Sequence, residues 1–107
     1  MQKIYSFGND SSNDIVAILA ERVRTRRLEK GMSREGLSSL SAVPVPTIAR
    51  FEQKHCISLR QFVDIAIALG FSAQLKELLG EAQFSTIEEL EQIKKNKNRK
   101  HGRSIKS

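Results

Sequence analysis

Residues 31–53 read GMSREGLSSLSAVPVPTIARFEQ, and their punctuation divides them into two short helices with a tight turn between. Ser33 is a good N-cap, and a helix from it is expected to reach about Ser41 before Ala42-Val43-Pro44 breaks it. A second helix should follow from about Val45 to Gln53. Pro46 is tolerated in its first turn, where the missing N–H has no intrahelical partner. Helices this short hold only by sharing a core, so Leu37, Val43, Ile48 and Phe51 should converge, and the small Ser38 lets the two helices approach closely. Two positions work against stability. Gly36 inside the first helix costs roughly 1 kcal/mol relative to Ala, and a left-handed backbone at Ala42 would cost roughly 1 kcal/mol.

Working outward, Ile15, Leu19 and Val23 recur at helical spacing from about Asn13, and Ile18 widens the stripe. Ser12 or Asn13 is the expected cap, Asp14 suits the positive end of the dipole, and Gly31 closes the helix. Beyond the central pair, a loop from Lys54 to Ile57 leads to Ser58, which forms a capping-box pattern with Gln61. Phe62, Ile65, Ala66 and Leu69 form the stripe of a fourth helix ending at Gly70. Ser72 should cap a fifth, with Leu75, Leu78 and Leu79 facing inward and Gly80 closing it. Five helices without a convincing strand predict a compact all-α bundle over residues 13–80. Residues 1–12 read as a flexible arm. Residues 81–95 read as a short amphipathic helix, with Ser85 and Glu88 as its capping box and Ile87, Leu90 and Ile93 or Lys94 as its stripe. Residues 96–107 are polar and basic and are expected to be disordered.

The 107-residue chain carries 18 Lys and Arg against 12 Asp and Glu, a net charge of +6. Seven of those cations (Lys94, Lys95, Lys97, Arg99, Lys100, Arg103 and Lys106) fall in residues 94–107, which hold no acid. The remaining 93 residues are therefore close to neutral, with 11 cations against 12 acids. The basic end could attract a polyanion, but any case for nucleic-acid recognition by the bundle must rest on its geometry. No apolar run approaches the ~20 residues of a membrane span, and no secretory leader is evident at the start. The lone Cys56 cannot form an internal disulfide, so a cytoplasmic setting is expected. His55 and Cys56 lack a third group for nucleophilic catalysis. No metal-ligand spacing, Gly-rich phosphate loop or paired catalytic carboxylates appear. The chain is expected to have no cofactor and not to be an enzyme.

Residues 17–80, with LAERVRTRRLEKGMS before the central pair and SLRQFVDIAIALG after it, resemble the helix-turn-helix domain of the Cro/cI-type (Xre) repressor family. The resemblance implies that the second motif helix enters the DNA major groove, N-terminal end toward the bases. Val45, Pro46, Thr47, Ala49 and Arg50 would then lie at or near base edges. Arg50 could fork onto guanine O6 and N7, while Val45, Pro46 and the Thr47 methyl could touch thymine methyls. Ser33 and Arg34 would point to phosphates, joined by Lys54. The resemblance also pairs Arg27, near the end of the first helix, with Glu52 at the end of the recognition helix. The chain departs from the pattern at Ala42, where Gly is common, at Arg34, where Gln is common, and in the apolar start Pro44-Val45-Pro46-Thr47.

Within that family, ISLRQFVDIAIALGFSAQLKELL looks like the HipB-type subgroup, small repressors encoded beside HipA-like kinase toxins, as does the acidic-then-basic extension EAQFSTIEELEQIKKNKNRK. This implies a homodimer on an inverted-repeat operator in double-stranded DNA, nucleoid-associated in the cytoplasm, with its half-sites about one turn, ~34 Å, apart. It also implies a HipA-like kinase toxin or its operon partner as a second partner. The competing reading is a protein-interaction module that binds and inhibits or scaffolds a partner kinase, with DNA binding secondary.

Overall fold

The structure, a computed structural model, describes residues 10–103. Within them lie six helices and no strand: α1 (Ser12–Glu29), α2 (Arg34–Ser41), α3 (Val45–Lys54), α4 (Leu59–Ala68), α5 (Ser72–Glu77) and α6 (Ile87–Arg103). The expected all-α class is what is observed. The chain divides into two compact units, one ending at Leu75 and the other beginning at Lys76. No helix among the described residues is long and apolar enough to cross a membrane. Of the expected N-terminal arm, residues 1–9 lie outside the described residues, as do 104–107 of the expected tail.

In the first unit α2 packs against both α3 and α4, and α1 packs against α3. The core joins Ala20 and Val23 of α1, Leu37 of α2, Val43 of the turn, Ile48 and Phe51 of α3, Ile65 of α4 and Leu69, which caps α4. Leu37, Val43, Ile48 and Phe51 do converge, each no more than 1% exposed. Phe51 meets Phe62 of α4 edge to face, with ring centroids 5.8 Å apart and planes at 74°, the arrangement the ring quadrupoles favour.

Local chemistry sets the helix ends. Ser33 and Ser58 cap α2 and α4, accepting from the N–H of Gly36 at 3.0 Å and of Gln61 at 3.1 Å. At the end of α1, Gly31 (φ +70°) donates to the Leu28 carbonyl and Met32 to that of Arg27. Gly70 (φ +94°) and Phe71 repeat this closure on Ile67 and Ala66 after α4. These are Schellman ends, whose left-handed residue favours Gly.

Several expectations need correction. The α1 cap is Ser11, one residue before Ser12, and it accepts from Asp14 N–H at 3.1 Å. The buried stripe of α1 is Ala20, Val23 and Arg27, flanked by Val16 and Leu19, while Ile15 and Ile18 are 45% and 37% exposed. A stripe that contains a small residue and ends in an arginine escapes a count of large apolar positions. Helix α3 extends through Lys54 rather than stopping at Gln53. Ser72 lies inside α5 rather than capping it. That helix stops at Glu77, leaving Leu78 and Leu79 67% and 93% exposed instead of facing inward, and the left-handed residue there is Leu79 (φ 63°), not Gly80.

The capping box of α6 is shifted by one residue. Thr86 Oγ1 accepts from Glu89 N–H at 3.0 Å, and the Glu89 carboxylate accepts from Ser85 N–H at 2.7 Å. Residues 96–103, expected to be disordered, continue α6 to Arg103. Once that capped start has met the cost of nucleation, each further residue adds a bond, and Lys and Arg are good helix formers suited to the negative end of the dipole.

Candidate nucleic-acid interface

The turn between α2 and α3 fixes how α3 is presented. Ala42 takes the left-handed conformation (φ 63°, ψ 20°), and its N–H donates to the Ser38 carbonyl at 2.8 Å. The buried Ser41 hydroxyl accepts from Val43 N–H at 3.1 Å, so this polar group is satisfied as the chain reverses. Pro44 then leads into α3, and its carbonyl accepts from both Thr47 and Ile48 N–H at 3.0 and 3.1 Å. Pro46 has no N–H to leave unpaired.

Helix α3 has two sharply different faces. Ile48 and Phe51 are buried and the Glu52 side chain is only 1% exposed. On the other side Pro46, Arg50, Gln53 and Lys54 are exposed, while Val45, Thr47 and Ala49 are half-buried. Pro46, Ala49, Arg50 and Gln53 recur at helical spacing, so an apolar start, a small residue, a guanidinium and an amide form one outward strip. Beside it runs a groove of about 390 Å³ between Pro46, Thr47 and Arg50 of α3 and Ser58 and Gln61 at the head of α4. Arg50 Nη2 donates to Cys56 Sγ in this groove at 3.7 Å. Lys54 lies in the last turn of α3, where the helix dipole favours a cation.

Beneath the strip, three charged side chains lock the helix. Glu52 accepts from Arg27 through both carboxylate oxygens, from Nε and Nη2, each at 2.9 Å. Arg27 Nη1 donates to the Met32 carbonyl at 2.9 Å, and Arg34 Nε donates to Glu52 Oε1 at 3.1 Å. One carboxylate thus fastens the end of α1, the start of α2 and the end of α3. Burial by itself pushes the Glu52 carboxyl up, but the hydrogen bonds and charges of Arg27 and Arg34 outweigh it and hold the group below the usual glutamate range.

Arg27 and Glu52 therefore meet in the pairing expected of them. Arg34 also joins this carboxylate: its Nε is committed to Glu52, and about a third of its side chain (32%) is exposed. It is a structural partner first, and two guanidiniums on one carboxylate leave a surplus positive charge at the more exposed of them. Ser33 remains exposed, with its hydroxyl oxygen engaged in capping α2.

Sequence reasoning missed Gln53 as a member of the outward strip, although its place three residues after Arg50 and seven after Pro46 was the available signal. It also missed the approach of Cys56 to Arg50, for which the left-handed turn at His55 (φ 62°) leaves no mark in the residue pattern. Among the described residues no cluster of three metal-ligating side chains occurs. Comparison with protein-family models, curated proteins and solved structures gave no match.

Proposed function

We propose that the chain is a sequence-specific DNA-binding repressor of the helix-turn-helix kind, with α2 and α3 as the motif and α3 as the reading helix. The observation that carries this is the division of α3: Ile48, Phe51 and Glu52 anchor one face while Arg50 stands exposed on the other beside Pro46 and Ala49. A helix held from below, with a forked donor on its open side, suits major-groove reading. In this proposal Arg50 and Gln53 read base edges, and Val45, Pro46 and the Thr47 methyl supply apolar contact. Lys54, the remaining donors of Arg34 and Ser33 serve the phosphates. The protein acts as a homodimer on an inverted repeat, which matches two reading helices to two half-sites. The resemblance extends the proposal to autoregulation of an operon encoding a HipA-like kinase toxin, with this chain as antitoxin or antitoxin-associated component.

The experiment is fluorescence anisotropy with the DNA upstream of the chain's own gene and a scrambled duplex, with and without the product of the neighbouring reading frame. Arg50→Ala is expected to weaken specific binding by about 1–3 kcal/mol and to relax preference at one base pair per half-site. Unchanged operator affinity in a folded Arg50→Ala protein would remove α3 from the groove. Affinity for the neighbouring kinase without preference for the upstream DNA would favour the interaction-module reading.

A further inference from the structure

Residues 78–86, between α5 and α6, are the longest stretch without helix among residues 12–103. They lie within the second compact unit, and residues 76–89 are all exposed. The backbone here has little support. Gly80 N–H donates to the Glu77 carbonyl at 2.9 Å and closes a turn, and Ser85 N–H donates to the Glu89 carboxylate at 2.7 Å. Between them, among the described residues, no hydrogen bond ties the backbone of Glu81, Ala82, Gln83 or Phe84. The turn is also strained. Leu79 holds a left-handed backbone (φ 63°) that a Cβ disfavours, and its side chain is 93% exposed, so packing does not hold it there. Among the described residues, Leu78, Leu79 and Phe84 are the only exposed large apolar side chains outside a helix.

We propose that residues 78–85 are a processing site for an endopeptidase whose primary pocket takes a large apolar side chain, and that the bond between Leu79 and Gly80 is the most open to it. A peptidase must draw its substrate out as an extended strand, so burial and backbone hydrogen bonds decide where it can cut. Within a helix, drawing out the chain breaks a hydrogen bond at nearly every residue. At Leu79 it breaks the one from Gly80 to Glu77 and releases the left-handed strain. Phe84 is a second apolar anchor, but it is 48% exposed and the N–H that follows it is held by Glu89. Hydrolysis adds water across the bond. The Leu79 carbonyl carbon takes the hydroxyl and becomes a carboxylate, and the Gly80 nitrogen takes the proton and leaves as an amine. The peptidase supplies the catalytic groups, and nothing is oxidised or reduced. The cut spares the bundle's interior, because among the described residues the buried ones lie between Ala20 and Leu69. It leaves α6 and the cations of residues 94–107 on the other fragment. The inference stands apart from the DNA-binding reading, and its test uses no DNA, so either can fail alone.

The test is brief native digestion of the full chain with chymotrypsin, which cuts after large apolar residues, read by intact-mass spectrometry. Among the bonds of residues 10–103, the first cut is expected within residues 78–85. Dividing each rate by that in a synthetic peptide of residues 74–88 removes the enzyme's own preference for Phe, and the ratio should be highest at Leu79. The fragment ending at Leu79 should keep its helical circular dichroism and resist further digestion. Leu78→Asp with Leu79→Asp and Phe84→Asp changes only exposed side chains, and should slow cleavage of the segment at least tenfold at an unchanged melting midpoint. In the cells that make the chain, an N-terminally tagged version should yield a fragment ending at Leu79 that the triple variant lacks. A first cut within α1 to α4, a higher ratio at Phe84, an unfolded Leu79 fragment, a variant cut at the wild-type rate, or cells holding only intact chain each overturns the proposal.

Discussion

At the scale of single residues, Glu52 has the largest consequences. It is a buried carboxylate shared by two arginines, and removing the negative partner from such a group typically costs about 3–5 kcal/mol, because the remaining charge is stranded. Glu52→Gln keeps the shape and removes the charge, so urea denaturation at pH 7 should show a loss of about that size. The lowered pKa adds a pH dependence with a definite sign. The folded state binds this proton less readily than the unfolded chain. The contribution is therefore fully present above the ordinary glutamate value and is lost as pH falls below it and through the lower folded value. Denaturation midpoints between pH 6 and pH 3 should fall more steeply for wild type than for Glu52→Gln. Parallel curves would mean that folding leaves the carboxyl's affinity for its proton unchanged.

At the scale of elements, the α2–α3 turn contains a correctable fault. Ala42 holds a left-handed backbone that glycine adopts without the Cβ penalty. Ala42 is exposed, so Ala42→Gly should stabilise the unit by about 1 kcal/mol, read as a higher urea midpoint at unchanged slope. A lower midpoint would show that the turn prefers a different backbone from the one described. The same elements show what could be read ahead of the structure. Helices α2 and α4 were legible because their caps, Ser33 and Ser58, and their apolar positions agree. The strip of α3 was legible, apart from Gln53, because its buried and exposed residues recur at the helical period. The buried face of α1 was not, because Ala20 and Arg27 supply it where the sequence offers the larger Ile15 and Ile18. Nor was the role of Arg34, because an arginine aimed at a phosphate and one aimed at a buried carboxylate look alike until the carboxylate's position is known.

At the scale of the whole molecule, charge and hydrophobic core lie in different units. Among the described residues the buried ones lie between Ala20 and Leu69, whereas the densest run of cations begins at Lys94. The sequence revealed that division of charge but not the continuation of α6, since a polar, basic composition favours disorder until a capped start makes helix the cheaper state. Cations contribute affinity by releasing counterions from DNA, a contribution indifferent to sequence and steep in salt. On the DNA-binding reading, deleting residues 96–107 should therefore lower affinity for operator and random duplex alike. It should also flatten the salt dependence by about 0.9 for each phosphate no longer neutralised, while preserving the preferred sequence. Salt titrations at matched oligomeric state check this, and identical slopes would exclude the segment from the DNA.

The start of α3 has a consequence for which bases it could tell apart. Pro46 carries no N–H, and those of Thr47 and Ile48 are both taken by the Pro44 carbonyl, so the first turn offers mostly carbon where many helix starts offer donors. On the DNA-binding reading, such a tip senses the 5-methyl group that separates thymine from uracil. Replacing operator thymines one at a time by deoxyuridine leaves every Watson–Crick hydrogen bond intact and removes only that carbon. Affinity should fall by about 0.8 kcal/mol for each methyl that packs against Val45, Pro46 or Thr47. An operator indifferent to uracil at every position would mean that the apolar tip faces something other than bases.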